Sequence, residues 1–518
     1  MASLPGKGPS VLLATEGTYP YHRGGVSTWC HALTGQLSEV DFTLLAITMH
    51  PFLQSKYALA DNVRDVMTVP LWGTEDPAEY GRHATFPDYL RRRWSTSNAD
   101  IEQAFLPSYE HLLREIVSPI SSPRSLGLVL LRMHQHFRDY DYHRTQTHPA
   151  TWETFVAVMR QTWRERYPTD PPPSLKDLFD GWRMLYRLML PLAVPPPRVD
   201  ITHSAAAAFC GLPCIIAKVL WDTPYLLTEH GVYLREQYLN LGRSATSFFV
   251  RWFLFRLMNT IVDVNYAFAD QVSPVCQYNT RWEQWRQVEP ERIRVIYNGV
   301  DPVKFSPVAR EPNSRPTVVN IGLIFPLKGQ LDLIEAAALV RRSIPDVEFR
   351  LYGSASDEEY SRVCQDRVRE YGLERHVVFA GSTDEPWAAL RRADVVALAS
   401  ISEAFPYSLV EAMLTEAAIV ATDVGGVREA LGRTGLLVRP HDPVSLGEAI
   451  ATLLGWPEGR KRLGMEARDR ALRWFTEQRF VDAYRKTYAR LGPQPIDLAD
   501  PFRERLTEAD TSPAFAIA

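Results

Sequence analysis

The chain has little that would tie it to a membrane, a disulfide framework or a nucleic acid. Its five cysteines (Cys30, Cys210, Cys214, Cys276 and Cys364) are scattered over 518 residues and odd in number. That argues against a stapled extracellular scaffold, and Cys210 and Cys214 are too isolated to make a zinc site. A reducing cytoplasm is the expected location. Residues 1–10 hold one Lys and lack the basic start and apolar core of a signal peptide. No uninterrupted apolar run reaches membrane-spanning length. The nearest, 248–268, is broken by Arg251, Arg256, Asn259 and Asp263. It reads as a largely buried helix with two snorkelling arginines rather than a membrane-surface element. A basic excess is also missing: the net charge is −4, which gives no footprint for nucleic acid.

What is present is a globular composition, 46% hydrophobic and 23% charged. The length calls for two large domains, or two and an insertion. A strand at 10–14 runs into a loop holding Gly24-Gly25, and Val26, Trp29, Cys30, Leu33 and Leu37 then recur at helical spacing. With a second strand at 41–47 this opens a βαβ unit. Glycines at a helix start let a ligand approach the backbone; taken alone, the pair reads as a plain turn. From about 72 to 198 the alternation fades into an Arg-, Trp-, Tyr-, His- and Pro-rich helical insertion. His134, His136, Asp139, Asp141, His143 and His148 fall there in a spacing that matches no metal-ligand pattern, so polar helix ends and loops are expected. Such an insertion is a candidate for acceptor or partner binding. Strands return near 200–203, 224–228 and 271–275. His230 follows the second of these beside Gly231, where a sheet's crevice would lie, although a satisfied structural histidine fits the position equally well.

The second half alternates more regularly. Strands are expected at 317–324, 347–353, 377–381, 395–399 and 418–424, with helices at 330–342, 358–370, 385–392 and 409–416. This is a doubly wound parallel sheet. The expected domains are therefore 1–310, 311–475, and a helix with tail over 476–518. Three stretches of the second half carry chemistry. Gly322 ends a strand and is followed by Lys328, a compact partner for phosphate. Thr422-Asp423-Val424-Gly425-Gly426 ends another. Between them, Glu403 and Glu411 flank the corner Ala404-Phe405-Pro406-Tyr407-Ser408. Glu411 has two readings. With Ser408 it forms a capping-box pattern. If Pro406 starts the helix instead, Glu411 sits in the second turn and can reach a ligand.

These residues carry a resemblance. Glu403 to Glu411 is similar to the E-x7-E motif of the retaining GT-B glycosyltransferases of family 4. Asn298-Gly299-Val300-Asp301, Lys328-Gly329 and Gly425-Gly426-Val427 fit the same pattern in order. Glu16-Gly17-Thr18-Tyr19-Pro20 with Gly24-Gly25, and Thr228-Glu229-His230-Gly231, resemble a narrower branch, the Pel-type (PelF-like) exopolysaccharide transferases. The likeness spans about residues 11–491. It implies a GT-B fold: α/β, two doubly wound Rossmann-like domains facing a cleft, the first bearing the helical insertion on the acceptor side.

The resemblance also implies a donor site. A nucleotide sugar, expected to be UDP-glucose, would lie on the C-terminal domain. Glu411 would hold the ribose. Glu403 would accept from the sugar hydroxyls beside backbone groups of Ala404, Phe405, Pro406, Tyr407 and Ser408. Lys328 next to Gly322 would neutralise the diphosphate, Gly24 and Gly25 would face it from the other domain, and His230 would sit against the sugar. His230, Lys328 and Glu403 are the implied catalytic residues. No cofactor is implied, and no metal, since no Asp-x-Asp is placed to hold one. The partners implied are the donor, a glycan acceptor and a membrane-bound polysaccharide synthase complex, with the chain cytoplasmic or peripheral at the inner membrane face. One departure stands out: Leu323 occupies the position of a usual second cation, an Arg, with Arg428 a candidate replacement. Two alternatives follow, an inactive or weakly active nucleotide-sugar-binding scaffold and a sucrose- or trehalose-type synthase.

Overall fold

The computed structural model describes residues 8–73, 85–120, 122–243, 245–309 and 312–492. Most of the expected C-terminal tail, and the part of the insertion at 74–84, lie outside the described residues. The chain divides into two compact units. One holds residues up to Pro274, Arg281–Arg294 and the chain from Tyr484; the other holds Val275–Thr280 and Val295–Ala483.

The first unit is built on β1 (Ser10–Glu16), β2 (Asp41–Thr48), β3 (Val63–Pro70), β4 (Ile201–Ser204), β5 (Tyr225–Glu229) and β6 (Gln271–Pro274). All neighbours pair in parallel, in the order β3-β2-β1-β4-β5-β6. The central strands are covered on both faces, so Val11, Leu12, Leu13 and Ala14 are fully buried; this is why they read as unbroken apolar runs. β3 was not expected. It is the edge strand, with Arg64 and Asp65 exposed and Pro70 at its end, and half of it therefore has no apolar signature.

Between β3 and β4 lie the helices Leu106–Val117, Pro123–Asp139, Pro149–Arg166 and Leu175–Leu188. Their apolar faces join the sheet in one core, where Leu12, Leu45, Leu130, Phe155 and Leu185 belong to the same cluster as Phe253. Phe253 lies on the helix Phe248–Phe268. That helix is largely buried, with Arg256 Nε donating to the Ile116 carbonyl at 2.9 Å, and among the described residues no helix is long and apolar enough to cross a membrane. The His/Asp group of the insertion is structural. His134 Nδ1 lies 2.7 Å from the Leu192 carbonyl, and His136 Nε2 lies 3.1 Å from Thr145 Oγ1. Asp141 and His148 accept backbone N–H groups at the starts of Tyr142–Gln146 and Pro149–Arg166.

The second unit is built on β7 (Thr317–Ile321), β8 (Glu348–Tyr352), β9 (Val377–Gly381), β10 (Val395–Leu398), β11 (Ile419–Thr422) and β12 (Leu436–Val438). Its order, β12-β11-β10-β7-β8-β9, is again all parallel. Read from the β9 edge, this repeats the first sheet's winding. Each sheet thus reverses direction once, between β1 and β4 and between β7 and β10. Such switch points are where ligands bind, outside the carboxyl ends of the strands. Two core clusters cover the second sheet, one around Leu409, Met413 and Ile419, the other around Ile334, Val340 and Leu351.

Asn62 shows how the connections are held. Buried before β3, its Nδ2 donates to the carbonyls of Thr34, Leu37 and Val40 at 3.0, 2.8 and 2.9 Å. Those carbonyls lie where the helix Gly25–Gln36 ends and turns into β2. Asn62→Ala removes these three bonds in the interior, leaving the Leu37 carbonyl with the Val40 N–H, and is expected to destabilise the first unit by about 1–3 kcal/mol. A melting temperature equal to the wild type's would refute that role.

Candidate functional site

The second unit's switch point is flanked by the loops after β7 and β10. The β7 loop passes Gly322 and Leu323 and makes one 3-10 turn at Pro326–Lys328. Gly329 then takes φ +65°, and a Cβ there would fall 2.0 Å from the Ala399 carbonyl oxygen. Only a residue without a side chain lets the two loops meet this closely. The Ile401 N–H donates to the Leu327 carbonyl at 2.8 Å, tying them together. Lys328 thereby reaches across: its Nζ lies 2.6 Å from Glu403 Oε1, which also accepts from Ser400 Oγ at 2.7 Å. The Glu403 side chain is 10% exposed and that of Lys328 32%. Gly322 lies under this pair, with Lys328 carbons 3.7–4.0 Å from its hypothetical Cβ.

The backbone of the corner is held from two other sides. Gly425 has φ +56°, and a Cβ on it would stand 1.7 Å from the Glu403 carbonyl oxygen. The Gly426 N–H donates to the Ala404 carbonyl at 2.7 Å. Buried Asn298 donates to the Phe405 carbonyl at 3.0 Å, and Thr422 Oγ1 donates to the Ser400 carbonyl. The Phe405 ring is buried between Tyr297 and Phe475, with centroids 5.2 and 5.1 Å away.

The helix Tyr407–Leu414 then begins, with Pro406 at its N-cap and no side chain capping it. The capping-box pattern of Ser408 and Glu411 is not formed, because Ser408 already lies inside the first turn. The helix starts at Tyr407, one residue after the Pro406 start that the sequence offered, and Pro406, extended and without an N–H, donates nothing. Glu411 stands in the second turn. Burial pushes its carboxyl up to about 7, and the only opposing influence is the Lys304 ammonium. Lys304 itself lies 4.3 Å from the centre of the Trp387 ring. Neither Lys304 nor Trp387 was singled out in the sequence, since they lie far from Glu411 along the chain and have no spacing in common with it. Arg428 is held on Asp423, its Nε 3.0 and 3.1 Å from the two carboxylate oxygens. The exposed Leu323 contributes only hydrocarbon and its carbonyl, which accepts from Gln330.

The first unit holds the other expected residues. Gly24 caps the helix Gly25–Gln36, again with no side-chain cap, and nothing lies within 4 Å of where its Cβ would be. His230 follows β5. Its ring meets Trp29 of that helix edge-on, with centroids 4.6 Å apart. Nε2 is sealed from solvent with no protein partner, and burial pushes the imidazole down to about 3. His230 is therefore neutral at physiological pH. Glu16, at the end of β1, is pushed up to about 7 by burial, against hydrogen bonds from the backbone at Cys210 and from Tyr233. Lys328, Glu403, Gly322 and the corner residues are thus gathered in one unit, and Gly24, Gly25 and His230 in the other.

Residues 9–291 match the family described as domain of unknown function (DUF3492), and 304–470 match glycosyl transferases group 1. The glycogen synthase of Mycobacterium tuberculosis is 30% identical over 310 residues, 58% of this chain and 72% of that protein. The chain belongs to the group 1 glycosyltransferases and carries the DUF3492 domain. The alpha-maltose-1-phosphate synthase of Mycolicibacterium smegmatis is 26% identical over 355 residues, 62% of this chain and 88% of its own length. A sucrose-phosphate synthase structure from Thermosynechococcus elongatus aligns with TM-score 0.58 and 18% identity, covering 94% of this chain and 99% of that one. Anabaena HepE in complex with UDP aligns with TM-score 0.56 and 16% identity, over 93% and 100%. Both likenesses are of fold, and the fold of this glycosyltransferase is GT-B, with two Rossmann-like sheets.

Two expectations follow. Gly329→Ala forces a left-handed side chain into the Ala399 carbonyl and should cost at least about 2 kcal/mol; a melting temperature unchanged from wild type would contradict this. Glu411 binds its proton more tightly folded than unfolded, since its carboxyl is raised from 4.5 to about 7. Its stabilising contribution is full below about pH 4.5 and is lost as pH rises through 7. Glu411→Gln should remove up to about 3 kcal/mol of that pH-dependent loss. The check is urea denaturation at pH 5 and pH 8, where equal differences in wild type and variant would rule out the raised carboxyl.

Proposed function

We propose that this glycosyltransferase moves a sugar, glucose from UDP-glucose, to a glycan acceptor with retention of configuration and without a metal, in exopolysaccharide synthesis at the cytoplasmic side of a membrane-bound synthase complex. The second unit takes the nucleotide sugar and the first takes the acceptor. The observation that carries this reading is the Lys328–Glu403 pair at the switch point, beside an uncapped helix start and the enclosed Glu411. Lys328 meets the diphosphate and Glu403 accepts from the sugar hydroxyls. Glu411 accepts from the ribose. Breaking the anomeric bond places negative charge on the departing diphosphate, and a cation with helix-end N–H groups stabilises that charge more in the transition state than in the ground state. His230, being neutral, offers the donor sugar a ring without adding charge. The relatives' names support a sugar-nucleotide chemistry: glycogen and maltose-1-phosphate synthases among the sequences, and HepE with UDP-glucose among the folds.

A second reading is favoured by Leu323 and by Arg428 being held on Asp423, which leave Lys328 as the cation of this corner. On it the chain binds a nucleotide sugar as a scaffold and turns it over slowly or not at all. A third, a sucrose- or trehalose-type synthase, is suggested by the fold shared with a sucrose-phosphate synthase; product analysis with small acceptors separates it.

Release of UDP or GDP from a panel of nucleotide sugars decides among these. UDP release is expected from UDP-glucose, and Lys328→Ala and Glu403→Ala should each lower it by at least about a hundredfold, the scale of losing one charge-stabilising group. Wild-type turnover in both variants, with melting temperatures showing them folded, would remove these roles. Tight UDP-glucose binding without release over long incubation would establish the scaffold instead.

A further inference from the structure

The first unit contains a concavity that the donor chemistry leaves unused. It lies among the helices Tyr233–Arg243 and Phe248–Phe268 and the segment carrying Trp282 and Trp285, and encloses about 290 Å³. Tyr238, Phe255, Trp282 and Trp285 supply aromatic rings, and Val262 and Leu234 supply aliphatic walls. Its polar wall groups are largely engaged with one another or with the interior. Arg286 Nη1 lies 2.6 Å from Asp263 Oδ1 and Nη2 lies 2.7 Å from Asn259 Oδ1. The Tyr266 hydroxyl donates to buried Glu229 at 2.6 Å. A sugar or a water cluster placed there would give up hydrogen bonds to solvent and find few in return. A hydrocarbon group would give up none. Meanwhile Tyr238 and Trp285 stand 64% and 68% exposed, apolar area that an occupant would take out of water.

The location narrows the occupant. Val232, on the pocket wall, is two residues beyond His230, the residue assigned above to the donor sugar. The pocket therefore opens on the same β5 loop that the transfer reading uses. Its volume is at the small end of ligand sites, enough for a short chain or one end of a longer one. A concavity of this volume takes an inserted group rather than a flat protein surface.

We infer that this pocket holds the apolar portion of an amphiphilic acceptor, a hydrocarbon chain attached to the sugar that is glycosylated. The exposed Arg235 stands on the solvent side, where the polar head would lie. This inference rests on the transferase reading for the word acceptor, but not for the binding itself.

The test uses n-hexyl, n-heptyl and n-octyl β-D-glucosides below their micelle concentrations, with methyl glucoside as control, titrated calorimetrically into the full chain. Affinity should rise about fourfold per added methylene, the transfer free energy of one buried CH₂, while methyl glucoside gives no measurable heat. Trp285→Ala and Tyr238→Ala should each weaken octyl glucoside binding about tenfold. Both side chains are largely exposed, so their melting temperatures should stay at the wild-type value. With UDP-glucose present, octyl glucoside should be glycosylated with a lower KM than methyl glucoside, and Trp285→Ala should raise that KM while leaving the methyl glucoside KM in place. Affinity independent of chain length, or unaffected by both substitutions, overturns the pocket. A chain-length series that holds while alkyl glucosides are not glycosylated by a protein that does release UDP overturns the acceptor assignment. A series that holds with no turnover of any donor supports the pocket and overturns the transferase reading instead.

Discussion

Lys328 and Glu403 meet at 2.6 Å because two backbones approach closer than side chains would allow. Gly329 against the Ala399 carbonyl sets the distance between the β7 and β10 loops, and Gly425 against the Glu403 carbonyl sets the tilt of the corner. The ion pair itself is partly exposed, and a pair of that kind contributes on the order of 1 kcal/mol or less. Its value is positional. Ser400 Oγ donates to the Glu403 carboxylate, while Asn298, Thr422 and Gly426 donate to backbone carbonyls of the corner, so the loop that carries the carboxylate stays in place when its partner changes. The uncapped helix Tyr407–Leu414 starts from the same corner and adds partial positive charge.

The same winding order occurs in both units, yet their switch points are equipped differently. In the second, a cation, a carboxylate and a helix start are brought within one loop system. In the first, burial disfavours the charged forms of residues near the strand ends. His230 is driven down and Glu16 is driven up. Glu229 and Glu283, also buried, are both raised by desolvation, with Tyr266 donating to Glu229. Groups whose charged forms are disfavoured in this way suit neutral hydroxyls and hydrocarbon better than phosphate. The charged corner suits phosphate. The proposed division into a donor side and an acceptor side is in keeping with the electrostatics of each unit taken by itself.

Much of this was legible in the sequence, for a physical reason. Parallel strands covered on both faces must be apolar throughout, so β1, β2, β7, β10 and β11 stand out. β3 and the three-residue β12 do not, one because half of it faces water and the other because it is too short to show a period. Glu403, Lys328 and the glycines were visible as residues at strand ends. What they do to one another was not. That Glu411 sits in the second turn depends on whether Pro406 or a later residue starts the helix, and this is decided by the Asn298 and Gly426 hydrogen bonds to Phe405 and Ala404, which come from elsewhere in the chain. Lys304 is likewise found only by folding, as the ammonium that acts on Glu411. The histidines and aspartates of the insertion illustrate the converse: a dense group of metal-ligand types became helix starts and buried hydrogen bonds.

The charge of the corner has a consequence for what it can bind. Asp423 occupies Arg428, and Leu323 brings no charge, so Lys328 supplies the positive side chain and Glu403 already neutralises it. On the proposed reading, a diphosphate arriving on Lys328 competes for the ammonium with a carboxylate that is nine-tenths buried. Left alone, that carboxylate would lose its strongest partner in a poorly solvated place, which is costly. A sugar attached to the diphosphate changes this, since its hydroxyls can donate to Glu403 as Lys328 turns to the phosphate. A bare nucleotide has no such group. On the proposed reading the pair couples the two ends of the bond to be broken: phosphate gains its cation most readily when a sugar hydroxyl takes the place of that cation on Glu403. If that reading holds, discrimination for an intact nucleotide sugar over its nucleotide product would follow from an exchange of partners at one carboxylate, with no second cation needed to produce it.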